Sequence, residues 1–364
     1  MLILLGIVAA LLPPFIAWGE HLYLRHGEVS GKRKILYFLL YFVLIHAAVF
    51  GVAYYRGVRG LTWQLVTMDY ELKHLGAGLV CAVLLPFLGC LVLEPGVTLG
   101  GFRKYGRRTL TDIRKYSQYV IRSAKAHLRS EVANSYLDWL WWVLEPLAMM
   151  LIYTFIFGFV FGSTEPYFPV FVFIGLTMYT FFSRNVSYGV TAILVNKAIV
   201  TKVYLPKYML LVSHMVLNAF KMMICFGIAF VMMLFFRVPL TLHILCFIPI
   251  IFEFFLLTFA VGLIFMHFGV YVSDLSYIVG IALNMLMYLS GIFYSMTRFP
   301  EPFNVILGKL NPVAFLINSM RDAVLYGIMP DWLTYAGWLC ASLVLTCIGL
   351  YTIYHNENAY VKVI

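Results

Sequence analysis

Long apolar runs separated by short polar connections dominate the chain. Three cover about 1–18, 35–55 and 76–93, and six more follow at about 142–162, 169–190, 208–236, 241–266, 275–295 and 332–354. A bilayer core takes roughly 20 residues of helix to cross, and these runs approach or exceed that length. Strands of a membrane barrel are about half as long and alternate in polarity, a period these runs lack. The pattern predicts an all-α polytopic membrane protein. The opening run lacks the basic start of a signal peptide and reads as a span, with Pro13 and Pro14 crowding its end.

Two stretches interrupt the spans. From Glu94 to about Trp139 the chain turns polar and basic, with Pro95, Gly96, Gly100, Gly101 and Gly106 predicting an irregular lead-in. Within it, Ile113, Tyr116, Tyr119, Val120, Ala124 and Leu128 recur near a helical period, which predicts an amphipathic helix lying in the cytosolic interface over 113–132. The second stretch, 295–331, holds apolar pieces at 303–310 and 314–326 broken by Pro300, Pro302 and Pro312. Each piece is too short to cross. The economical reading is a re-entrant hairpin entering from the outer face, whose open backbone must pack in protein or line a polar cavity.

Composition agrees with a membrane solvent: of 364 residues 63% are hydrophobic and only 12% charged, too few charges for a soluble surface of this size. The formal net charge is +10, and much of the excess lies between Arg103 and Arg129. Beside apolar spans, such charge marks a cytosolic face before it marks a nucleic-acid site, so nucleic acid is not an expected partner. Loop charge sets the orientation. Arg25, Lys32, Arg33 and Lys34 place the first loop inside, Asp69 and Glu71 balance the second outside, and Lys197, Lys202 and Lys207 place 196–207 inside. Nine spans then put the N-terminus outside and the C-terminus in the cytosol. Cys81, Cys90, Cys225, Cys246, Cys340 and Cys347 are scattered through apolar runs, with neither metal-ligand clustering nor a disulfide framework.

Over roughly residues 113–364 the chain resembles the ABC-2 class of ATP-binding-cassette exporter permeases, in the branch that exports O-antigen, capsule and teichoic-acid polysaccharides. Ser135, Leu137, Leu140, Trp141 and Pro146, followed by 155–158, resemble that family's junction between interface helix and first core span. NKAIVTKVYLP at 196–206 resembles its short cytosolic coupling helix. Ser290 to Tyr294, LNPVA at 310–314 and Arg321 resemble its last-but-one span and re-entrant segment. The chain departs from the pattern at Asp138, at Ser273 before Asp274, and around Glu131 to Asn134. The span pattern and the resemblance together divide the chain into three parts: an N-terminal three-helix membrane extension at 1–93, which the family's six-span core does not explain, a basic cytosolic linker and amphipathic interface helix at 94–141, and a six-span permease core at 142–364. The resemblance also implies a bacterial cytoplasmic (inner) membrane location, a second copy of the chain, two copies of a separate nucleotide-binding ATPase and an undecaprenyl-diphosphate-linked glycan as cargo.

Site residues follow from this frame. Asn196, Lys197, Val200, Lys202, Val203, Tyr204, Leu205 and Pro206 are the candidate ATPase-coupling residues, apolar side chains seating in a groove while lysines meet an acidic rim. The rival reading is positive-inside charge with one interfacial tyrosine. Tyr153, Phe157, Tyr179, Tyr288 and Tyr294 are conduit candidates, since rings stack on sugar C–H faces and hydroxyls exchange hydrogen bonds; ordinary packing is the alternative for each. Asn311, Pro312, Arg321 and Asp322 are candidates for the outer re-entrant gate, as structural support or as carbohydrate contacts. Lys221, Glu145, Glu253, His243 and His267 are the polar exceptions within or beside spans, and Lys221 either snorkels to the cytosolic side or meets cargo.

Neither a Walker A string nor a catalytic or metal-ligand motif is present. If the chain is an exporter permease, no catalytic residue, metal or cofactor is expected on it, and ATP and Mg belong to the partner ATPase. Two rivals remain: an ABC-2 exporter of drugs or small lipids, and a membrane glycosyltransferase acting on a lipid-linked sugar.

Overall fold

The computed structural model describes residues 11–18, 37–48, 78, 81–82, 85, 95–132, 138–163, 165–300 and 303–363. Much of the three N-terminal spans, and both loops whose charges orient them, lie outside these residues. What is described there is helical at 11–18 and 37–48, joined by Phe15, Trp18 and Phe38 edge contacts and a small buried group of Ala17, Tyr41, Ile45 and Ala82.

Helix α1 runs over Pro95–Val132, 38 residues. The expected irregular lead-in is instead part of this one helix: Pro95 sits at its start, where a missing N–H costs nothing, and the glycines do not break it. The periodic face survives almost whole. Val120 and Ala124 are buried, Tyr116, Tyr119 and Leu128 half-buried, whereas Arg114, Lys115, Arg122, Lys125 and Arg129 are exposed. Ile113 is the exception, half exposed. That face packs along α5, with a few contacts to α10.

The core begins with α2 (Trp141–Tyr153), which widens into π-type turns over Thr154–Val160. Next come α3 (Phe168–Val195), the short α4 (Lys197–Lys202), α5 (Tyr208–Phe235), and α6 (Phe247–Tyr271) after a 3-10 turn at Leu242–Cys246. Helix α7 (Leu275–Leu289) is followed by α8 (Phe303–Val305, continued over Ile306–Leu310) and α9 (Pro312–Arg321, continued over Asp322–Tyr326). Helices α10 (Trp332–His355) and α11 (Glu357–Val363) are the last of the described elements.

Four of these runs are long and apolar enough to cross a membrane: Trp141–Val160, Tyr208–Phe235, Leu242–Tyr271 and Trp332–His355. The protein is therefore an all-α, multi-pass membrane protein. Helix α3, 28 residues long, is its centre, wrapped by α5 and α6 while α10 packs on α6. Close approach demands small residues there. A Cβ on Gly189 would lie 2.8 Å from the Gly262 carbonyl oxygen, and one on Gly269 would run into the Val190 carbonyl. In lipid, where apolar side chains gain nothing by leaving the tails, such backbone-to-backbone packing holds helices together.

The span expected at 275–295 is shorter. Helix α7 stops at Leu289 because Ser290 and Gly291 turn the chain, Gly291 in the left-handed region at φ +64°.

Candidate functional site

Two places concentrate polar and aromatic chemistry. The first is the segment between α3 and α5. Asn196 ends α3, its Nδ2 donating to the Ala192 carbonyl at 2.7 Å and to the Tyr188 hydroxyl at 2.9 Å, while its own carbonyl starts α4 by accepting from Ile199 and Val200 N–H. After α4 the chain is extended at Val203. Val200, Leu205 and Pro206 turn inward and are buried, which makes them anchors of the segment. The outward surface is Lys197, Ile199, Lys202, Val203 and Tyr204; Ile199 went unnoticed in the sequence because spacing alone does not tell which side of a six-residue helix faces out.

Beneath this segment lies a polar junction that sequence reasoning missed. The Glu357 carboxylate, at the start of α11, accepts from Arg108 Nη2 of α1 at 2.9 Å and from the Tyr204 hydroxyl at 3.2 Å. Arg108 also hydrogen-bonds Tyr204 and lies over the Tyr354 ring, 4.4 Å from its centroid. The Tyr354 hydroxyl donates to Asp112 at 2.9 Å. Lys207, only 3% exposed, is pushed below its ordinary value by burial, against the pull of Glu357. Burial and the Glu357 charge raise the Tyr204 hydroxyl, with Arg108 opposing. These residues are 153 and 249 positions apart, so no local pattern reveals them.

The second place is a groove of about 380 Å3 between α2, α3 and α7, lined among others by Tyr153, Tyr179, Ser183, Asn284 and Met287. Arg184 and Glu145 pair across it at 3.0 Å. Of the five conduit candidates, Tyr153 and Tyr179 line it, and Tyr179 is buried with its hydroxyl bonded to the Leu283 carbonyl. Phe157 and Tyr288 do not line it but join Tyr153 around one ring, Phe293, at centroid distances of 4.8, 5.9 and 4.3 Å. Tyr294 stands apart, bonded to the Tyr288 carbonyl and edge-on to Phe299. Phe293 is the hub of the cluster, and nothing in its local sequence marks it apart from its apolar neighbours.

The remaining polar exceptions separate. Lys221 pairs with Glu131 at the end of α1 and lies over Trp142. His267 meets the Tyr360 hydroxyl at 2.9 Å. Glu253 is fully buried, with no hydrogen-bond partner on either oxygen among the described residues.

In the broken stretch, Asn311 caps α9. Its Oδ1 accepts from Val313 and Ala314 N–H at 3.1 and 3.3 Å, and its Nδ2 donates to Ser290 at 3.1 Å. Pro312 occupies the first helical position, which suits its fixed φ. Arg321 is 1% exposed and donates to the carbonyls of Phe171, Gly291 and Ile292 at 3.0, 2.7 and 2.9 Å. It knits α9 to α3 and to the turn that ends α7. The Asp322 backbone carbonyl closes the end of this unit by accepting from Ile328 N–H at 2.8 Å.

A multi-pass bundle with an amphipathic helix strapped to its side, a short basic segment between two long helices and a broken stretch before the last one is the build of a membrane transporter. Residues 122–325, more than half of the chain, match the ABC-2 type transporter family, and the chain belongs to that family. It is similar to the O-antigen export system permease protein RfbA of Myxococcus xanthus, 26% identical over 225 residues covering 62% of this chain and 86% of that protein. RfbA of Klebsiella pneumoniae is 25% identical over 61% of this chain and 86% of its own length. The polysialic acid transport protein KpsM of Escherichia coli is 26% identical over 64% and 91%.

Proposed function

We propose that the chain is the membrane subunit of an ATP-driven exporter that moves a lipid-linked polysaccharide, of O-antigen type, across the bacterial cytoplasmic membrane. Two copies work with two copies of a separate ATPase, which binds ATP and Mg; the N-terminus is outside and the C-terminus in the cytosol. The observation that carries this reading is the segment 196–206, which offers lysines and an apolar outer edge at Ile199 and Val203 while Val200 and Leu205 anchor it. The names of the similar proteins, O-antigen export and polysialic acid transport proteins, support a polysaccharide cargo.

In this mechanism the ATPase carries out phosphoryl transfer, and its closure pushes the coupling segments of both copies. The push passes through α1 and α5 to α2 and α7, whose outer faces expose Leu151, Phe155, Ile281 and Met285 and meet the second copy. The groove between them, with Tyr153 and Tyr179, then joins its counterpart as an undecaprenyl-diphosphate-linked glycan passes. Aromatic faces and scattered hydroxyls hold a sugar chain weakly enough for onward movement. Asn311, Pro312, Arg321 and Asp322 keep the outer end in shape, and residues 1–93 form an accessory membrane region.

Two measurements test this. In the source bacterium, loss of the chain removes the surface polysaccharide and leaves lipid-linked polymer inside; undiminished surface polymer would refute the cargo. The Ile199→Ala, Val203→Ala double variant assembles but exports little polymer for the ATP it consumes, and unimpaired export by that variant would refute the coupling assignment.

A further inference from the structure

The tail after the last long helix is tied into the coupling junction. Helix α10 ends at His355, where Asn356 turns the chain, its backbone N–H and its Nδ2 both bonding the Thr352 carbonyl at 3.1 and 2.9 Å. Helix α11 is then pinned by Tyr360, which is fully buried and bonded to His267 of α6 at 2.9 Å. This places Glu357 under the coupling segment. Its Oε2 takes hydrogen bonds from Arg108 and Tyr204 together, while Oε1 is buried without a partner among the described residues.

Tyr204 lies just past the extended Val203, and its ring is mostly exposed. An extended, exposed stretch bends when pushed unless something ties it to the helices it must move. The hydroxyl of Tyr204 is that tie, held by a charge-assisted pair whose two members come from α1 and α11. Arg108 is itself held in place by Asp112, 3.9 Å away, and by the Tyr354 ring.

We propose that Glu357 is a positioning residue that clasps the coupling segment to α1 and to the C-terminal helix, so that the three move as one unit and the tail belongs to the transmission. The proposal rests on the reading of 196–206 as the ATPase-coupling segment.

The test uses the full complex of two permease and two ATPase chains in lipid vesicles, measuring polymer exported per ATP hydrolysed, with a nitroxide at Thr201→Cys, an exposed position of the same segment outside its coupling edge, to report motion of the segment. Glu357→Gln lowers the export ratio by about tenfold, within the range of ordinary coupling energies, and narrows the nitroxide spectrum. Arg108→Gln does the same, and the Arg108→Gln, Glu357→Gln double variant is little worse than either single variant because the two act through one contact. Tyr204→Phe, which loses only the hydroxyl and preserves the ring, reproduces the effect should Glu357→Gln fail to assemble. An unchanged ratio with an immobilised spectrum in Glu357→Gln or Tyr204→Phe overturns the clasp, as does a double variant whose losses simply add. Should Ile199→Ala, Val203→Ala impair coupling while Glu357→Gln does not, the clasp alone falls. Unimpaired coupling in the Ile199, Val203 variant strikes at the coupling segment instead, and the nitroxide spectrum still decides whether Glu357 holds it.

Discussion

Replacing Arg321 by methionine removes the donors that three buried carbonyls, those of Phe171, Gly291 and Ile292, now use. A buried acceptor left without a partner costs about 1–3 kcal/mol; Phe171 lies within α3 and keeps its helical bond, so the low end for the Gly291 and Ile292 carbonyls gives a loss of about 2 kcal/mol. The same guanidinium explains Gly175 on α3, because a Cβ built there would collide with Arg321 Nη2. Gly175→Ala in the natural background therefore incurs an overpacking cost of about 1–3 kcal/mol, offset by up to about 1 kcal/mol of helical gain from replacing glycine. In the Arg321→Met background the collision is gone, leaving Ile292 Cγ2 at 3.3 Å as the nearest remaining neighbour. There the alanine is close to neutral or stabilising. Equilibrium unfolding of purified protein in mixed micelles, titrated with denaturing detergent, supplies the four stabilities of the cycle. A coupling energy of about 1 kcal/mol or more between positions 175 and 321 is expected, above the error of simple additivity. If Gly175→Ala is equally harmful in both backgrounds, or if Arg321→Met leaves stability untouched, the account of this arginine as the knot of α3, α7 and α9 is wrong.

Asn311→Ala removes a helix cap and the link to Ser290 and lowers stability by about 1–2 kcal/mol in the same assay, whereas Asn311→Asp keeps the cap acceptors and loses less. Gly269→Ala, facing the Val190 carbonyl, is expected to lower the thermal midpoint clearly, while Gly280→Ala, with open space around it, is tolerated; equal effects would contradict the close approach of α3 and α6. Asp331, which caps α10, has its carboxyl held down at about 2: burial raises it, but the bonds from Lys309 and Thr334 outweigh that. Its folded value lies below the ordinary value of about 3.9, so its contribution is present above that value and disappears as pH falls toward 2. Because the pair is partly exposed, Asp331→Asn should flatten the acid limb of the stability profile only slightly, and a steeper limb would reverse the assignment.

The parts legible in the sequence were those governed by neighbours along the chain. The inward face of α1 at Val120 and Ala124 follows from a 3.6-residue period, and the Asn311 cap follows from an asparagine and a proline at a helix start. Even local rules were overruled twice. Glycines that read as an irregular lead-in lie within α1, since propensity is a weak preference that context overrides. Helix α7 ends at Leu289, where an apolar run suggested continuation to 295, because the turn at Gly291 places two carbonyls on Arg321.

Membrane character and the basic connection between α3 and α5 were thus settled by the sequence itself, since the bilayer imposes length and polarity residue by residue. Tertiary structure decided which polar groups meet. Glu145 finds Arg184 thirty-nine positions away, Arg321 reaches back 150 to Phe171, and Glu357 reaches back 249 to Arg108. A charge or donor in an apolar setting announces only that it needs a partner; the packing of helices chooses that partner, because only packing brings distant side chains within 3 Å.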